Sequence, residues 1–135
     1  MASSGNQPSG RGRLSGLRVL IAEDSWLIAD TLAVLLEEEG ARVVGPAASC
    51  ADSLELLGRQ SVDFALVDMK LTDAFADQLA EELVSLTIPY AVITGIAALP
   101  SHAHDDAVMV LYKPIVHKTL IELLSGYVAR DRPTG

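Results

Sequence analysis

Short apolar runs alternate with amphipathic stretches along nearly the whole chain, and this alternation constrains the fold more than any other feature. Residues 17–22 (LRVLIA), 41–47 (ARVVGPA), 62–67 (VDFALV), 90–93 (YAVI) and 108–112 (VMVLY) read as strands. Residues 25–39 carry Ile28, Leu32, Leu35 and Leu36 at helical spacing, and Gly40 stands where a left-handed terminator belongs. Residues 50–59, 74–86 and 115–129 are predicted helices by the same spacing, and Cys50 opens the first of these three. The stretch 97–106 is ambiguous and fits at most one weak helix. Strict alternation of strand and helix implies βαβ units. Near-continuous apolar strands imply a parallel sheet buried on both faces. Right-handed crossovers then give an open, doubly wound α/β sheet.

A chain of 135 residues fits one domain with a core of its own. The expected organisation is a flexible arm over 1–16, rich in Ser, Gly, Pro and Arg, a folded domain over 17–129, and a short tail over 130–135. The glycines of the arm precede the first strand, so GRGRLSG lacks the strand-then-helix context of a phosphate-binding loop. Asp and Glu number 18 against 10 Lys and Arg, a net charge of -8, which argues against a nucleic-acid partner. A single cysteine excludes an internal disulfide and points to a reducing cytoplasm. No apolar run approaches the ~20 residues of a membrane span.

In an open α/β sheet, sites form outside the carboxyl ends of the strands. Those ends hold Glu23 and Asp24, then Asp68, Thr94 with Gly95, and Lys113 with Pro114. Three carboxylates crowded together repel one another, and a hard cation such as Mg²⁺ relieves the repulsion while leaving room for phosphate oxygens. Lys113 adds a positive group and Thr94 a hydroxyl, both suited to phosphoryl oxygens. Asp68 stands alone at the central strand end, where a carboxylate can act as nucleophile and form an acyl phosphate. Taken singly, Glu23-Asp24 also fits a strand stop with an N-cap for the following helix.

The set VLIA-Glu23-Asp24, LV-Asp68, I-Thr94-Gly95 and Lys113-Pro114 resembles the receiver domain of a two-component response regulator over about residues 17–129. The resemblance implies a flavodoxin-like, CheY-like sheet of five parallel strands in the order 2-1-3-4-5 with helices on both faces. It implies Asp68 as the phosphorylated residue, Asp24 and Asp68 as direct Mg²⁺ ligands, Glu23 acting through water, and the Lys70 backbone carbonyl as a further ligand. Thr94 and Lys113 are then the groups that contact the phosphoryl oxygens, and a cis bond before Pro114 turns the lysine inward. The chain departs from the family at Thr72 and Ala76, where Pro and Gly are usual, and at Val110, where an aromatic is usual; Tyr112 lies two positions further on. Ile88-Pro89 ahead of Thr94-Gly95 is similar to single-domain receivers.

The implied function is phosphoacceptance from a sensor histidine kinase or histidine phosphotransfer protein, not an enzyme with its own small substrate. Output is expected through a downstream protein target or by draining phosphoryl groups. Trp26 and Leu27, off the core stripe of their helix, are candidate partner contacts, and Thr94 with Tyr112 the candidate switch. The alternatives are a receiver fragment of a longer regulator, decided by whether the native reading frame stops at Gly135, and a small Mg²⁺-dependent phosphatase using Asp68. The latter needs a second acid just after the nucleophile, where Lys70 stands. A partner-binding receiver without phosphorylation is disfavoured by the intact acid, threonine and lysine set. Pro100 interrupts the stretch before the last strand, so the fourth helix of the resemblance is expected to be short or irregular. His102 and His104 lack a third metal ligand, and His117 reads as a surface residue.

Overall fold

A computed structural model describes residues 12–71, 73–95 and 106–128. Its strands are β1 (Arg18–Ala22), β2 (Arg42–Ala47), β3 (Phe64–Asp68), β4 (Tyr90–Thr94) and β5 (Met109–Tyr112). Its helices are α1 (Trp26–Glu38), α2 (Cys50–Arg59), α3 (Ala76–Ser85) and α4 (His117–Ser125). The strands form one sheet in the order β2-β1-β3-β4-β5, and every neighbouring pair is parallel. This is the open doubly wound sheet expected from the sequence, in the order 2-1-3-4-5 that the resemblance implies. Of the stretch 97–106 expected to form an irregular helix, residues 97–105, with His102 and His104, lie outside the described residues, as does Thr72.

Alternate residues of the central strands serve two separate cores. Val19 and Ile21 of β1, Phe64 and Leu66 of β3, and Ala91 and Ile93 of β4 pack with Leu32 and Leu36 of α1 and with Leu120 and Leu124 of α4. Leu20 and Ala22, Ala65, and Tyr90 and Val92 face the other way, onto Leu57 of α2 and Leu79 and Leu83 of α3. Side chains alternate across a strand, so a strand buried on both faces must be apolar at every position. The edge strand β5 buries only Leu111 and leaves Met109 and Tyr112 exposed.

Helix α1 starts at Ser25, whose side chain accepts from the Ile28 N–H (3.4 Å). Asp24 is therefore not its cap. At the other end Gly40 takes φ 93°; its N–H donates to Glu37 O and the Ala41 N–H donates to Leu36 O, a Schellman ending. The last helix is shorter than expected: after Gly126, a weak helix former, the N–H groups of Gly126, Tyr127 and Val128 bond three residues back in tightened turns. The Tyr127 ring then packs on Phe64 at 4.8 Å.

Residues 12–16 differ from the flexible arm expected over 1–16. They form a turn folded onto the end of α1. The Leu14 N–H donates to Glu39 O (2.8 Å), the Gly16 N–H to Gly40 O (3.0 Å), and the Leu14 side chain is fully buried in the α1–α4 core. Carbonyls left over at a helix C-terminus need partners, and this turn supplies one to the C-cap Glu39 and another to Gly40 just beyond it. Gly12 has no room for a side chain, since a Cβ there would lie 2.1 Å from Glu39 O. Composition marks GRLSG as loose; one leucine in a buried slot overrides it.

Leu14→Ala should therefore destabilise the protein by about 2–5 kcal/mol, the range for truncating a buried leucine. Trp26→Ala, at a 76% exposed position on α1, should stay within about 0.5 kcal/mol of wild type. Urea unfolding with a lowered midpoint and unchanged slope is the expected result for Leu14→Ala. Equal midpoints for the two variants would show that the turn is not part of the folded unit.

Candidate functional site

The carboxyl ends of four strands bring the predicted residues together. Glu23 and Asp24 follow β1, Asp68 closes β3, Thr94 closes β4, and Lys113 follows β5. One oxygen each of Glu23, Asp24 and Asp68 lies within 4.8 Å of the others. Glu23 and Asp68 are 2% and 1% exposed, Thr94 is buried, and Asp24 is open to solvent. The Lys113 ammonium lies 3.3 Å from Asp68 Oδ2 and 3.6 Å from Glu23 Oε1.

Backbone bonds between neighbouring loops hold this edge. The Glu23 N–H donates to Ala47 O (2.9 Å), Met69 N–H to Ile93 O (2.8 Å) and Lys113 N–H to Thr94 O (2.8 Å). The peptide bond from Lys113 to Pro114 is cis. Both carboxylates are oriented from within their own loops. Glu23 Oε2 accepts from the Ser25 N–H (3.0 Å) and Asp68 Oδ1 from the Lys70 N–H (2.9 Å). Lys70, two residues past Asp68, is exposed.

Charge is out of balance here. Three carboxylates face one ammonium among the described residues. Burial, and then the neighbouring Asp68 carboxylate, push the Glu23 carboxyl up to about 7. Glu23 Oε1 is buried without a hydrogen-bond partner among the described residues. A buried orphan oxygen is costly, and this one belongs to a group of hard oxygen donors. The donor set and the orphan both fit a divalent cation with oxygen preference, such as Mg²⁺.

The remaining predicted residues fall around this centre. Trp26 and Leu27, 76% and 62% exposed, occupy the first turn of α1 beside Asp24. Tyr112 is the register partner of Thr94 and is 58% exposed on the edge strand. Leu27, Ile28, Leu32, Pro114 and Ile115 line an apolar groove of about 560 Å³ that reaches Lys113. Sequence reasoning missed Asp73, whose carboxylate accepts from the Cys50 and Ala51 N–H groups of α2. An acid in a loop carries no local signal for a partner 22 or 23 residues earlier. Burial, with Asp73 next, raises the Cys50 thiol to about 12, so it is not an ionised nucleophile.

Residues 19–125 match the response regulator receiver domain, and the chain belongs to that family. It is 35% identical over 119 residues to the transcriptional regulatory protein PdtaR of Mycobacterium tuberculosis, covering 85% of this chain and 58% of that protein. It is 28% identical over 116 residues to the sensory transduction protein LytT of Bacillus anthracis, covering 82% and 47%. The chain thus spans about half the length of these curated relatives. Among solved structures, a CheY-like receiver domain protein from Methanospirillum hungatei superposes with a TM-score of 0.74 at 28% identity, covering 84% and 94%. The receiver domain of a sensor histidine kinase from Pseudomonas aeruginosa shares the fold at TM-score 0.72 and 20% identity, covering 84% and 98%. That structure holds a magnesium ion in its active-site cleft.

The raised Glu23 value gives the metal-free protein a signed pH dependence. The folded state favours the protonated carboxyl, so this group's contribution is full below an ordinary value near 4.5 and is lost as pH rises to about 7. Glu23→Gln keeps the shape without the charge. It should flatten that part of the pH profile and raise the melting midpoint by a few degrees above about pH 7. Melting curves without divalent cations, in steps from pH 5 to 8, measure it. A wild-type slope retained in the variant would contradict the assignment.

Proposed function

We propose that this chain is a phosphoacceptor receiver whose Asp68 takes a phosphoryl group from a phosphohistidine, with Mg²⁺ as cofactor. The observation that carries the reading is a buried aspartate at the central strand end with an ammonium at 3.3 Å and two further carboxylates grouped around it. An Asp68 carboxylate oxygen attacks phosphorus, the P–N bond breaks, the imidazole leaves with its electron pair, and an acyl phosphate forms. The Lys113 ammonium, held through its backbone to Thr94, meets the incoming phosphoryl oxygens, and the Thr94 hydroxyl donates to another. Asp24 and Asp68 would hold Mg²⁺ directly, Glu23 through water, and the Lys70 carbonyl would complete the protein ligands. When bound, the ion offsets the excess carboxylate charge and orients the phosphoryl oxygens.

The donor would be a sensor histidine kinase or a histidine phosphotransfer protein. The exposed Trp26 and Leu27, beside the apolar groove that opens toward Lys113, are the surface we assign to it. Output would pass to a downstream protein, with Thr94 and Tyr112 at the switch, or end in phosphate drainage. The receiver would run from about residue 17 to 129, with the turn of residues 12–16 packed onto it as part of the folded unit. No helix among the described residues is long and apolar enough to cross a membrane, and a cytoplasmic location suits a partner of kinases.

Acetyl phosphate with Mg²⁺ should add one phosphoryl mass to the wild type, and none after chelation of the metal or in Asp68→Asn. An adduct in that variant would overturn Asp68 as acceptor. Lys113→Ala should bind Mg²⁺ as well as wild type or more tightly, because a neighbouring positive charge is gone, yet be phosphorylated roughly 10²-fold more slowly. Loss of metal binding in Lys113→Ala would instead make the lysine structural.

A further inference from the structure

The loop from Met69 to Phe75 starts at the acceptor and contains neither proline nor glycine to set its course. At its start the Lys70 N–H donates to Asp68 Oδ1 (2.9 Å) and the Leu71 N–H to Asp68 O (3.1 Å). At its far end it enters α3 through Phe75, which gives no side-chain cap. In between, Asp73 reaches sideways to another element. Its Oδ1 accepts from the Cys50 N–H (3.1 Å) and its Oδ2 from the Ala51 N–H (3.2 Å).

Helix α2 already has a cap of its own, since Ser49 Oγ accepts from the Asp52 N–H (3.0 Å). Asp73 therefore adds a clamp between the loop and α2. Charge-assisted bonds at a helix N-terminus are the stronger kind. Although burial opposes it, the bonds from Cys50 and Ala51 hold the Asp73 carboxyl below its ordinary value, so it stays ionised. The loop is fixed from its apolar side as well: Leu71 is buried in the same core as Cys50.

We infer that Asp73 is a positioning residue for the Asp68 site: by clamping the loop to α2 it keeps the Lys70 backbone at Asp68. This rests on the reading of Asp68 as a Mg²⁺-dependent phosphoacceptor. Groups that hold a ligand's backbone or side chain commonly govern metal affinity about as strongly as some ligands do. Asp73 is not one of the grouped carboxylates at the site; it acts through the loop.

The test uses the whole chain and three variants: Asp73→Ala, Asp73→Asn and Ser49→Ala. Mg²⁺ affinity is read by calorimetric titration, Asp68 phosphorylation rate by mass spectrometry with acetyl phosphate, and folding by melting midpoint. Asp73→Ala should lose about tenfold or more in Mg²⁺ affinity or phosphorylation rate. Asp73→Asn, whose amide oxygen can accept from one of the two N–H groups, should fall between Asp73→Ala and wild type. Ser49→Ala, which removes the other cap of α2 without touching the loop, should lower the midpoint and leave both site readings at wild-type values. Asp73 variants that shift only the midpoint, as Ser49→Ala does, would overturn the inference. Should Asp73→Ala not fold, an Asp73→Asn protein equal to wild type in both site readings would overturn it equally. A wild type that neither binds Mg²⁺ nor takes up a phosphoryl group would overturn the phosphoacceptor reading and this inference with it. Wild-type activity with unaffected Asp73 variants would overturn this inference alone.

Discussion

Val19 and Ile21 face one helical layer while Leu20 and Ala22 face the other, and β3 and β4 divide their residues the same way. Two-sided burial is the constraint from which the site follows. Parallel strands can be joined only by crossovers, so all five carboxyl ends lie along one edge of the sheet. The apolar layers hold that edge rigid. Loops there carry charged groups that no apolar layer tolerates, and backbone bonds such as Lys113 N–H to Thr94 O lace the loops together.

The charge at this edge works against the fold. Glu23 and Asp68 are buried side by side with one lysine between them, and one oxygen of Glu23 is without a hydrogen bond among the described residues. Part of the stability from the two cores offsets this arrangement. On the proposed reading the arrangement has a use: an edge short of positive charge would receive a cation, and a cation with Lys113 would receive a phosphoryl group. A neutral, fully satisfied edge would make a more stable sheet with nothing to bind.

How much is legible in the sequence depends on the range of each interaction. The strands, the helices and the four strand-end motifs are legible because they arise from local periodicity and from residues that interrupt it. Gly40 is read correctly as a terminator, since a left-handed residue leaves a local signature. The turn of residues 12–16 is not legible: Leu14 is a single apolar residue in a polar stretch, and only the end of α1, some 25 positions on, shows that it is buried. Asp73 is hidden for the same reason, its partners being set by how α2 packs beside the loop. Asp24 and Ser25 are a closer case, as both are good N-caps. The structure gives the cap to Ser25, which leaves the Asp24 carboxylate for the acidic cluster.

Lys113 ties the acidic centre to the edge of the sheet. Its ammonium contacts Asp68 and lies near Glu23, while its backbone N–H is bonded to the carbonyl of Thr94. A phosphoryl group on Asp68 would change the partner of that ammonium from a carboxylate to phosphoryl oxygens, and would offer the Thr94 hydroxyl an acceptor. Both residues would be drawn toward the same new charge, and because they share a backbone bond they would move as a pair. Thr94 pairs in register with Tyr112 on the exposed edge strand β5. The β4–β5 pairing thus joins Thr94, at the site, to the exposed edge strand. On the proposed reading, a change in charge at Asp68 would reach that surface through elements that already touch.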